Sequence, residues 1–359
     1  MNNSFWYDKK VLITGHTGFK GSWLSIWLHE LGAHVIGYSL EPNSNKANYV
    51  LSGVGDKIID IKGDIRDDNK LYSIFKRYEP EIVFHLAAQP LVRLSYECPK
   101  ETYDINVMGT LNILECIRKT DSTKVGILVT TDKCYDNKEH IWGYRENDPL
   151  GGYDPYSSSK ACAEILIASY RNSFMNPKDY DKHGKSIASV RAGNVIGGGD
   201  WAKDRIVPDC ICAIEENSPI FIRNPKAVRP WQHVLEPLSG YMLLAEKLYQ
   251  DPTKYMGSWN FGPDYNSFST VWEVAESITR EYGSGVLKDR SFSNNLHEAS
   301  LLFLDITKAK YELGWKPKLN MEKTIKLTVD WYKRYKNNNV YNLCLEQIEE
   351  FIDIGKNLY

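Results

Sequence analysis

Short apolar runs rich in β-branched residues alternate with amphipathic stretches over the first half of the chain, and this alternation constrains the fold most strongly. The apolar runs predict strands at Val11–Thr14, His34–Tyr38, Lys57–Ile61, Ile82–His85, Gly126–Thr130 and Ile187–Val190. The stretches between them predict helices at Gly21–Leu31, Asp67–Tyr78, Lys100–Arg118 and Ser158–Phe174. Because such strands are buried under helices on both faces, the pattern predicts an α/β fold with a doubly wound, parallel Rossmann-type sheet. The ligand crevice is expected at the carboxyl ends of its strands.

The regular alternation of strand and helix patterns ends after Val190. Beyond it, glycines at 197–199 and prolines at 208, 219, 225, 230 and 237 separate shorter elements. We therefore expect two domains: a Rossmann-type domain over residues 1–192 and a smaller mixed α/β domain over residues 193–359. In the second part, Pro237–Tyr249 predicts a helix that packs back on the first domain. Asn342–Ile354 predicts an amphipathic tail helix.

The charge balance excludes whole classes of partner. Lys plus Arg number 44 against 46 for Asp plus Glu, a formal net charge of −2, so no general electrostatic field would recruit nucleic acid or an anionic membrane.

No apolar run reaches the ~20 residues that span a bilayer, and the amino terminus has no hydrophobic signal segment. The seven cysteines include no CxxC pair and the eight histidines no HExxH motif. We expect no metal site and a cytoplasmic location.

A glycine-rich turn follows the first predicted strand and opens the first predicted helix; it reads Gly15-His16-Thr17-Gly18-Phe19-Lys20-Gly21. Glycines at this place let a pyrophosphate approach the free amide groups at the start of a helix. The turn therefore predicts a dinucleotide site. The alternative is a glycine-lined turn that binds nothing.

The second predicted strand ends without the acidic residue that commonly grips the adenosine ribose. Ser39 stands at that position, so we expect it to bond the ribose hydroxyl and NAD to bind more loosely than in proteins with the acid. Asp64, after the third predicted strand, is placed to hold the adenine amine. The alternative is an aspartate that only shapes a turn.

Four Tyr-x-x-x-Lys pairs occur in the chain, so this spacing alone indicates nothing. Only Tyr156 and Lys160 follow the fifth predicted strand and open a helix of small residues. One helical turn puts the phenol and the ammonium on the same face, where the cation is expected to lower the pKa of the phenol. Such a phenolate can remove a hydroxyl proton while a hydride leaves the same carbon.

The fifth predicted strand runs into Thr131, Asp132 and Lys133, at the edge expected to face the crevice. The Thr131 hydroxyl can share a hydrogen bond with a reacting hydroxyl. Asp132 and Lys133 are an unusual pair at the end of a strand, unless they form an ordinary surface ion pair.

Three motifs carry a resemblance to a known family: Thr14-Gly15-His16-Thr17-Gly18-Phe19-Lys20-Gly21, His85-Leu86-Ala87-Ala88-Gln89 and Tyr156-Ser157-Ser158-Ser159-Lys160. From about residue 9 to 330 the chain resembles the extended short-chain dehydrogenases/reductases, and among them the nucleotide-sugar 4,6-dehydratases. Members that act on dTDP-glucose carry Thr-Asp-Glu where this chain has Thr131-Asp132-Lys133. The lysine resembles members that act on CDP-D-glucose, as do the runs at 193–201, 229–234 and 297–299.

The resemblance implies a bound NAD that is regenerated in each turnover and a CDP-sugar substrate converted to its 4-keto-6-deoxy form, in deoxysugar synthesis for surface polysaccharides such as O-antigen. The residues it implies for NAD are Gly15, Thr17, Gly18, Phe19, Lys20, Gly21, Ser39, Asp64, Ile65, Leu86, Ala87, Ala88, Asn106, Tyr156 and Lys160. Those it implies for the substrate are Gln89, Arg93, Asn194, Arg205, Arg229, Trp231, His297 and Glu298. It further implies a homo-oligomer, a dimer or tetramer, joined through Lys100–Arg118 and Ser158–Phe174.

The resemblance also implies catalytic roles: Tyr156 as base, Lys160 as its electrostatic support, Thr131 as hydrogen-bond partner and protonated Asp132 as acid for the departing hydroxyl. The role of Lys133 stays open. Either it removes the carbon 5 proton, for which its pKa must fall about three units below 10.4, or it stabilises the enolate as a cation. A 4-epimerase, a dehydratase of dTDP- or GDP-sugars and a non-catalytic dinucleotide-sensing regulator are the alternative functions.

Overall fold

The computed structural model describes residues 3–264, 268–291 and 301–356. Its strands are β1 (Lys10–Thr14), β2 (His34–Ser39), β3 (Ile59–Lys62), β4 (Ile82–His85), β5 (Val125–Val129), β6 (Ser186–Ala192), β7 (Val195–Ile196), β8 (Ile220–Ile222), β9 (Val228–Arg229), β10 (Gln232–His233), β11 (Gly257–Phe261), β12 (Ser269–Thr270) and β13 (Leu287–Asp289). Its helices are α1 (Asn3–Trp6), α2 (Phe19–Glu30), α3 (Asn48–Ser52), α4 (Asp68–Tyr78), α5 (Val92–Glu97), α6 (Pro99–Tyr103), α7 (Gly109–Lys119), α8 (Pro155–Ser173), α9 (Tyr180–His183), α10 (Ile206–Glu215), α11 (Leu235–Gln250), α12 (Val271–Tyr282), α13 (Met321–Arg334) and α14 (Val340–Lys356).

One seven-stranded sheet organises the molecule, in the order β11-β6-β5-β4-β1-β2-β3. All its neighbouring strands pair in parallel. Side chains alternate between two cores: Val11 and Ile13 of β1 join the core on one face, and Leu12 joins the core on the other. The prediction of a doubly wound parallel sheet is confirmed. Because the strand order reverses between β1 and β4, the crevice for a ligand lies at the carboxyl ends of these two strands.

The structure displaces two of the predicted elements. The third strand begins at Ile59 rather than Lys57, because Val54–Lys57 closes a turn of 3-10 helix before it. The predicted helix Lys100–Arg118 is broken into α6 and α7 by a π-helical turn over Asp104–Met108. The strand Ile82–His85 occurs with the predicted bounds, and the other predicted strands and helices of the first half occur with ends shifted by at most three residues.

The seventh strand of the sheet, β11, was not predicted, and it lies well beyond residue 192. Gly257–Phe261 pairs with β6, and α11 packs against β5 and β6. The later part of the chain therefore completes the sheet of the earlier part. Within the described ranges, no helix is long and apolar enough to cross a membrane. Nor do these ranges contain a group of three or more His, Cys, Asp or Glu that could hold a metal ion.

A buried carboxyl on α11 makes the stability of this fold depend on pH. Glu236 accepts hydrogen bonds at one oxygen from the main-chain N–H groups of Lys318 and Leu319, at 2.7 and 2.6 Å. Burial raises the pKa of Glu236 from 4.5 to about 7. Since the folded state holds this proton more tightly than the unfolded chain, the free energy of unfolding falls as pH rises from 4.5 to 7, by about 3 kcal/mol.

We expect Glu236→Gln to raise the free energy of unfolding by about 2 kcal/mol more at pH 8 than at pH 5, because the amide keeps the acceptor and never ionises. Urea unfolding at the two pH values measures this difference. Glu322→Gln, on the exposed side of α13, is the matched control and should show no such difference. An equal gain at both pH values would contradict the assignment.

Candidate active site

A cavity of about 1530 Å³ lies at the carboxyl ends of the sheet strands. This volume exceeds the range of about 300–1,000 Å³ for a site that holds one small ligand. Most of the predicted site residues line it: Gly15, Thr17, Gly18, Phe19, Lys20, Gly21, Ser39, Asp64, Ile65, Leu86, Ala87, Ala88, Arg93, Thr131, Asp132, Lys133, Tyr156, Lys160, Asn194, Arg205, Arg229 and Trp231.

The glycine turn is shaped so that a phosphate can approach the main chain. Gly15 has a φ of +77°, and a Cβ on Gly21 would lie 2.1 Å from the Gly15 carbonyl oxygen, so neither position accepts a side chain. Helix α2 starts at the cavity after Gly18, with no side-chain cap and no acidic residue in its first turn. The amide groups of this turn therefore fit a pyrophosphate. Burial lowers the pKa of Lys20, on the same turn, to about 8.

The end of β2 carries hydroxyls where an acid is common. The Oγ atoms of Ser39 and Thr17 lie 2.8 Å apart, and the Thr17 hydroxyl donates to the Leu40 carbonyl. Asp64 is held by Arg66, with 2.6 Å between Nη2 and Oδ2. That hydrogen bond lowers the pKa of Asp64, which stays a carboxylate able to accept from an amine.

The turn that follows β5 places a carboxyl and an amine side by side. Asp132–Cys134 forms a 3-10 turn directly after Thr131. Asp132 is almost fully buried; its Oδ1 accepts from the Thr131 hydroxyl at 3.1 Å, while its Oδ2 is buried without a hydrogen-bond partner among the described residues. Lys133 Nζ lies 4.0 Å from Asp132 Oδ1, and a third of its side chain is exposed to the cavity side. The interpretation as a surface ion pair is wrong for Asp132, which is 1% exposed.

Helix α8 places the phenol of Tyr156 and the amine of Lys160 on the same wall of the cavity. Its N-cap is Asp154, whose side chain accepts from Ser157 N at 2.9 Å, so Tyr156 lies in the first turn. Lys160, one turn later, donates from Nζ to the carbonyl of Val129 at 3.1 Å. This ties the helix to the end of β5.

The expected lowering of the Tyr156 pKa is wrong for the protein alone. Burial raises the pKa of Tyr156 to about 12, and a hydrogen bond with Thr131 opposes this only in part. Burial also lowers the pKa of Lys160 to about 8. The cation that would favour the phenolate is itself desolvated, which the sequence pattern does not reveal.

Segments beyond residue 192 supply the other wall. Pairing of β7 with β10 and of β9 with β12 holds Asn194, Arg229 and Trp231 there. Arg205 forms an ion pair with Asp200, with 2.7 Å between Nη1 and Oδ2. Asn194 Oδ1 is buried and has no hydrogen-bond partner within the described residues, so it is available to a ligand donor.

Two predicted residues, Gln89 and Asn106, do not line the cavity. Gln89 and Asn106 lie behind it: Gln89 N donates to Asn106 Oδ1 at 2.9 Å, and Asn106 Nδ2 donates to the Gln89 carbonyl at 3.1 Å. This pair shapes the loop after β4 and does not itself face the cavity. His297 and Glu298 lie outside the described residues.

Some wall residues were missed by sequence reasoning. Asp200 follows three glycines and pairs with Arg205, and an acid so close to a proposed anion-binding arginine was a usable signal. Residues 221–224, at and after the end of β8, also line the cavity. They carry no motif, and only the tertiary fold brings them there.

Comparison with known proteins identifies the family. Residues 12–328 match the family model described as GDP-mannose 4,6 dehydratase. This chain belongs to that family. One relative is the CDP-glucose 4,6-dehydratase of Salmonella typhimurium. It is 48% identical to this chain over 344 residues, which cover 96% of each chain.

Solved structures share the fold of this family member at low sequence identity. The dTDP-glucose 4,6-dehydratase from Bacillus anthracis, in complex with NAD, has a TM-score of 0.75 at 22% identity and covers 92% of this chain and 97% of its own. The UDP-glucose 4-epimerase of Thermus thermophilus, in complex with NAD, has a TM-score of 0.77 at 24% identity, covering 90% and 98%. Structures with this fold therefore bind NAD.

Proposed function

We propose that this protein converts CDP-D-glucose into CDP-4-keto-6-deoxy-D-glucose, as a hydro-lyase with a resident NAD. The observation that carries the proposal is the 48% identity, over nearly the whole of both chains, to the CDP-glucose 4,6-dehydratase of Salmonella typhimurium. Thr131-Asp132-Lys133 at the cavity wall supports it. A reducing cytoplasm fits the seven cysteines, all of which are unpaired. A step in deoxysugar synthesis for surface polysaccharides fits the product.

NAD fits the half of the cavity that the glycine turn lines. The amides at the start of α2 would hold its pyrophosphate, while Ser39 and Asp64 would face the ribose and the adenine. When bound, NAD would supply the acceptor for the carbon 4 hydride and the donor of that hydride to carbon 6, and carbon 5 would regain a proton in the return step.

Tyr156 and Thr131 act on the carbon 4 hydroxyl. Tyr156 takes the hydroxyl proton as the C4–H bond breaks, and a carbonyl forms at carbon 4. Thr131 donates a hydrogen bond to the reacting oxygen, and the positive charge of Arg205 favours the phenolate against the burial that opposes it. The place of both groups in the cavity wall supports these roles, and Thr131 lowers the pKa of Tyr156 there.

Asp132 and Lys133 act on carbons 5 and 6. The new carbonyl acidifies the carbon 5 proton; its removal leaves an electron pair that forms the C5–C6 double bond as the C6–O bond breaks. Asp132, whose Oδ2 has no hydrogen-bond partner among the described residues, is the acid for the departing hydroxyl, which leaves as water. Lys133 lies 4.0 Å from Asp132 and is the candidate for the carbon 5 base.

The two roles of Lys133 differ in their effect on solvent exchange at carbon 5. If Lys133 is the base, Lys133→Gln should slow deuterium exchange at carbon 5 by about 10²-fold or more, since no other group takes the proton. Mass spectrometry of the product formed in D₂O measures this exchange. Lys124→Gln, at the other end of β5, is the control. Full exchange in Lys133→Gln would leave Lys133 as an enolate-stabilising cation.

A substrate panel tests the proposed reaction. We expect the protein, incubated with CDP-, dTDP-, GDP- and UDP-glucose with and without NAD⁺, to form a 4-keto-6-deoxy sugar from CDP-glucose without net reduction of NAD⁺. Preference for another nucleotide would contradict the base specificity. Inversion at carbon 4 alone would indicate an epimerase, and binding without turnover a dinucleotide sensor.

A further inference from the structure

A buried ion pair lies next to the carboxyl end of β5, and it has no role in the proposed reaction steps. Arg191 Nη2 on β6 lies 2.6 Å from Glu164 Oε2 on α8, and their side chains are only 2% and 1% exposed. Glu164 Oε2 also accepts from the Ser189 hydroxyl at 2.7 Å. Burial would raise the pKa of Glu164, but the charge of Arg191 and the hydrogen bonds from Arg191, Thr130 and Ser189 together outweigh burial and keep the pKa below its ordinary value.

This ion pair holds both ends of the segment that carries the acid and the base. Before the segment, the hydroxyl of Thr130 donates to Glu164 Oε1. After it, Arg191 Nη1 donates to Tyr135 Oη at 2.7 Å, and the guanidinium lies 4.9 Å from the centre of the Tyr135 ring. Tyr135 Oη in turn donates to Asn260 Oδ1 on β11, at 2.8 Å.

Stability alone gives a weak reason for such a pair. Desolvation of two buried charges costs several kcal/mol, and well-packed apolar residues of similar volume often stabilise a fold as much or more. What the pair supplies is fixed geometry, because each charge directs hydrogen bonds to chosen partners. Here the chosen partners, Thr130 and Tyr135, are the residues that flank residues 131–134.

We propose that the Glu164–Arg191 pair, acting through Thr130 and Tyr135, positions Asp132 and Lys133 for the elimination of water. All four are positioning residues, and the proposal rests on the proposed function. The Tyr135 contact acts directly after residues 131–134, next to Lys133, whereas Tyr156 lies in the first turn of α8, about two turns before Glu164. Loss of the Tyr135 contact should therefore slow elimination more than oxidation at carbon 4, since small displacements of an acid or a base are costly.

Tyr135→Phe is the sharpest variant, because it keeps the ring against Arg191 and removes only the hydroxyl. Tyr249→Phe is its matched control: the Tyr249 hydroxyl donates to Glu81 at 2.6 Å, away from the cavity lining. Each full-length variant, with NAD⁺, is mixed in excess over CDP-D-glucose and quenched with borodeuteride. Mass spectrometry then separates two sugars labelled at carbon 4: the hexose that kept its carbon 6 hydroxyl and the 6-deoxy product.

We expect Tyr135→Phe to slow formation of the 6-deoxy product about tenfold and to accumulate labelled hexose, while Tyr249→Phe behaves as wild type. Unchanged product formation, or a loss without labelled hexose, would overturn the proposal. Wild-type protein that forms no product from CDP-D-glucose would overturn the proposed function instead, and this inference with it. Should Tyr135→Phe not fold by circular dichroism, Thr130→Val decides by the same criterion, with Thr123→Val at the amino end of β5 as control.

Discussion

Replacing Tyr156 by phenylalanine is expected to lower the turnover of CDP-D-glucose by about 10²–10⁴-fold, because the carbon 4 hydroxyl then loses its base. The phenol is buried in the cavity wall beside Thr131, and removing one oxygen leaves the packing of α8 unchanged. The rate of 4-keto-6-deoxy product formation at saturating substrate measures the loss. We expect no labelled hexose after a borodeuteride quench, since oxidation itself is blocked.

The chain offers a matched control for this prediction. Tyr72 and Lys76 have the same spacing, but they lie on α4 with Tyr72 at the surface, 37% exposed. Tyr72→Phe should therefore turn over as wild type. If Tyr156→Phe kept more than a tenth of the wild-type rate, another group would have to be the base.

Asp132→Asn is expected to lower product formation by about 10²–10³-fold through a different step, because an amide cannot donate the proton that the carbon 6 hydroxyl needs. Oxidation at carbon 4 continues, so labelled hexose should accumulate in the quench experiment, unlike in Tyr156→Phe. The amide keeps the size of the carboxyl and can still accept from the Thr131 hydroxyl. The measurement is the ratio of labelled hexose to 6-deoxy sugar.

Asp121→Asn, before the amino end of β5 and exposed, serves as the control for this variant. It should give the wild-type ratio. If Asp132→Asn gave the wild-type ratio of labelled hexose to 6-deoxy sugar, Asp132 would not be the acid. If the labelled hexose and the 6-deoxy sugar both fell by the same factor, Asp132 would act in the oxidation step.

The site residues that follow sheet strands were predictable, because carboxyl ends of parallel strands meet at one edge. That rule brings Gly15 after β1 and Thr131 after β5 to the same cavity. It does not determine which side of a loop a side chain takes. Asn106 was assigned to the cofactor on resemblance, and the π-helical turn over Asp104–Met108 instead aims it at the main chain of Gln89.

Strand β11 was missed for a related reason. Gly257–Phe261 reads Gly-Ser-Trp-Asn-Phe, a short alternation of polar and aromatic residues rather than an apolar run like those of the other sheet strands. The polar side chain of Asn260 in β11 forms hydrogen bonds with residues far away in the sequence. Its Nδ2 donates to the carbonyl of Tyr144 at 2.8 Å, and its Oδ1 accepts from the Tyr135 hydroxyl. Only the folded chain supplies these partners, but the alternation over Ser258–Phe261 was an available strand signal that a search for apolar runs does not find.

The pairing of β6 with β11 also has a consequence during translation, because β6 is synthesised well before its partner strand. Every residue of Ser186–Ala192 is buried in the finished protein, yet its outer partner is translated some 65 residues later, about 3–13 s at ordinary elongation rates. During that interval an apolar strand edge is open to pairing with neighbouring nascent chains. Holdase chaperones are thus expected to engage this protein mainly between completion of β6 and emergence of β11, and a β11 deletion should extend that engagement.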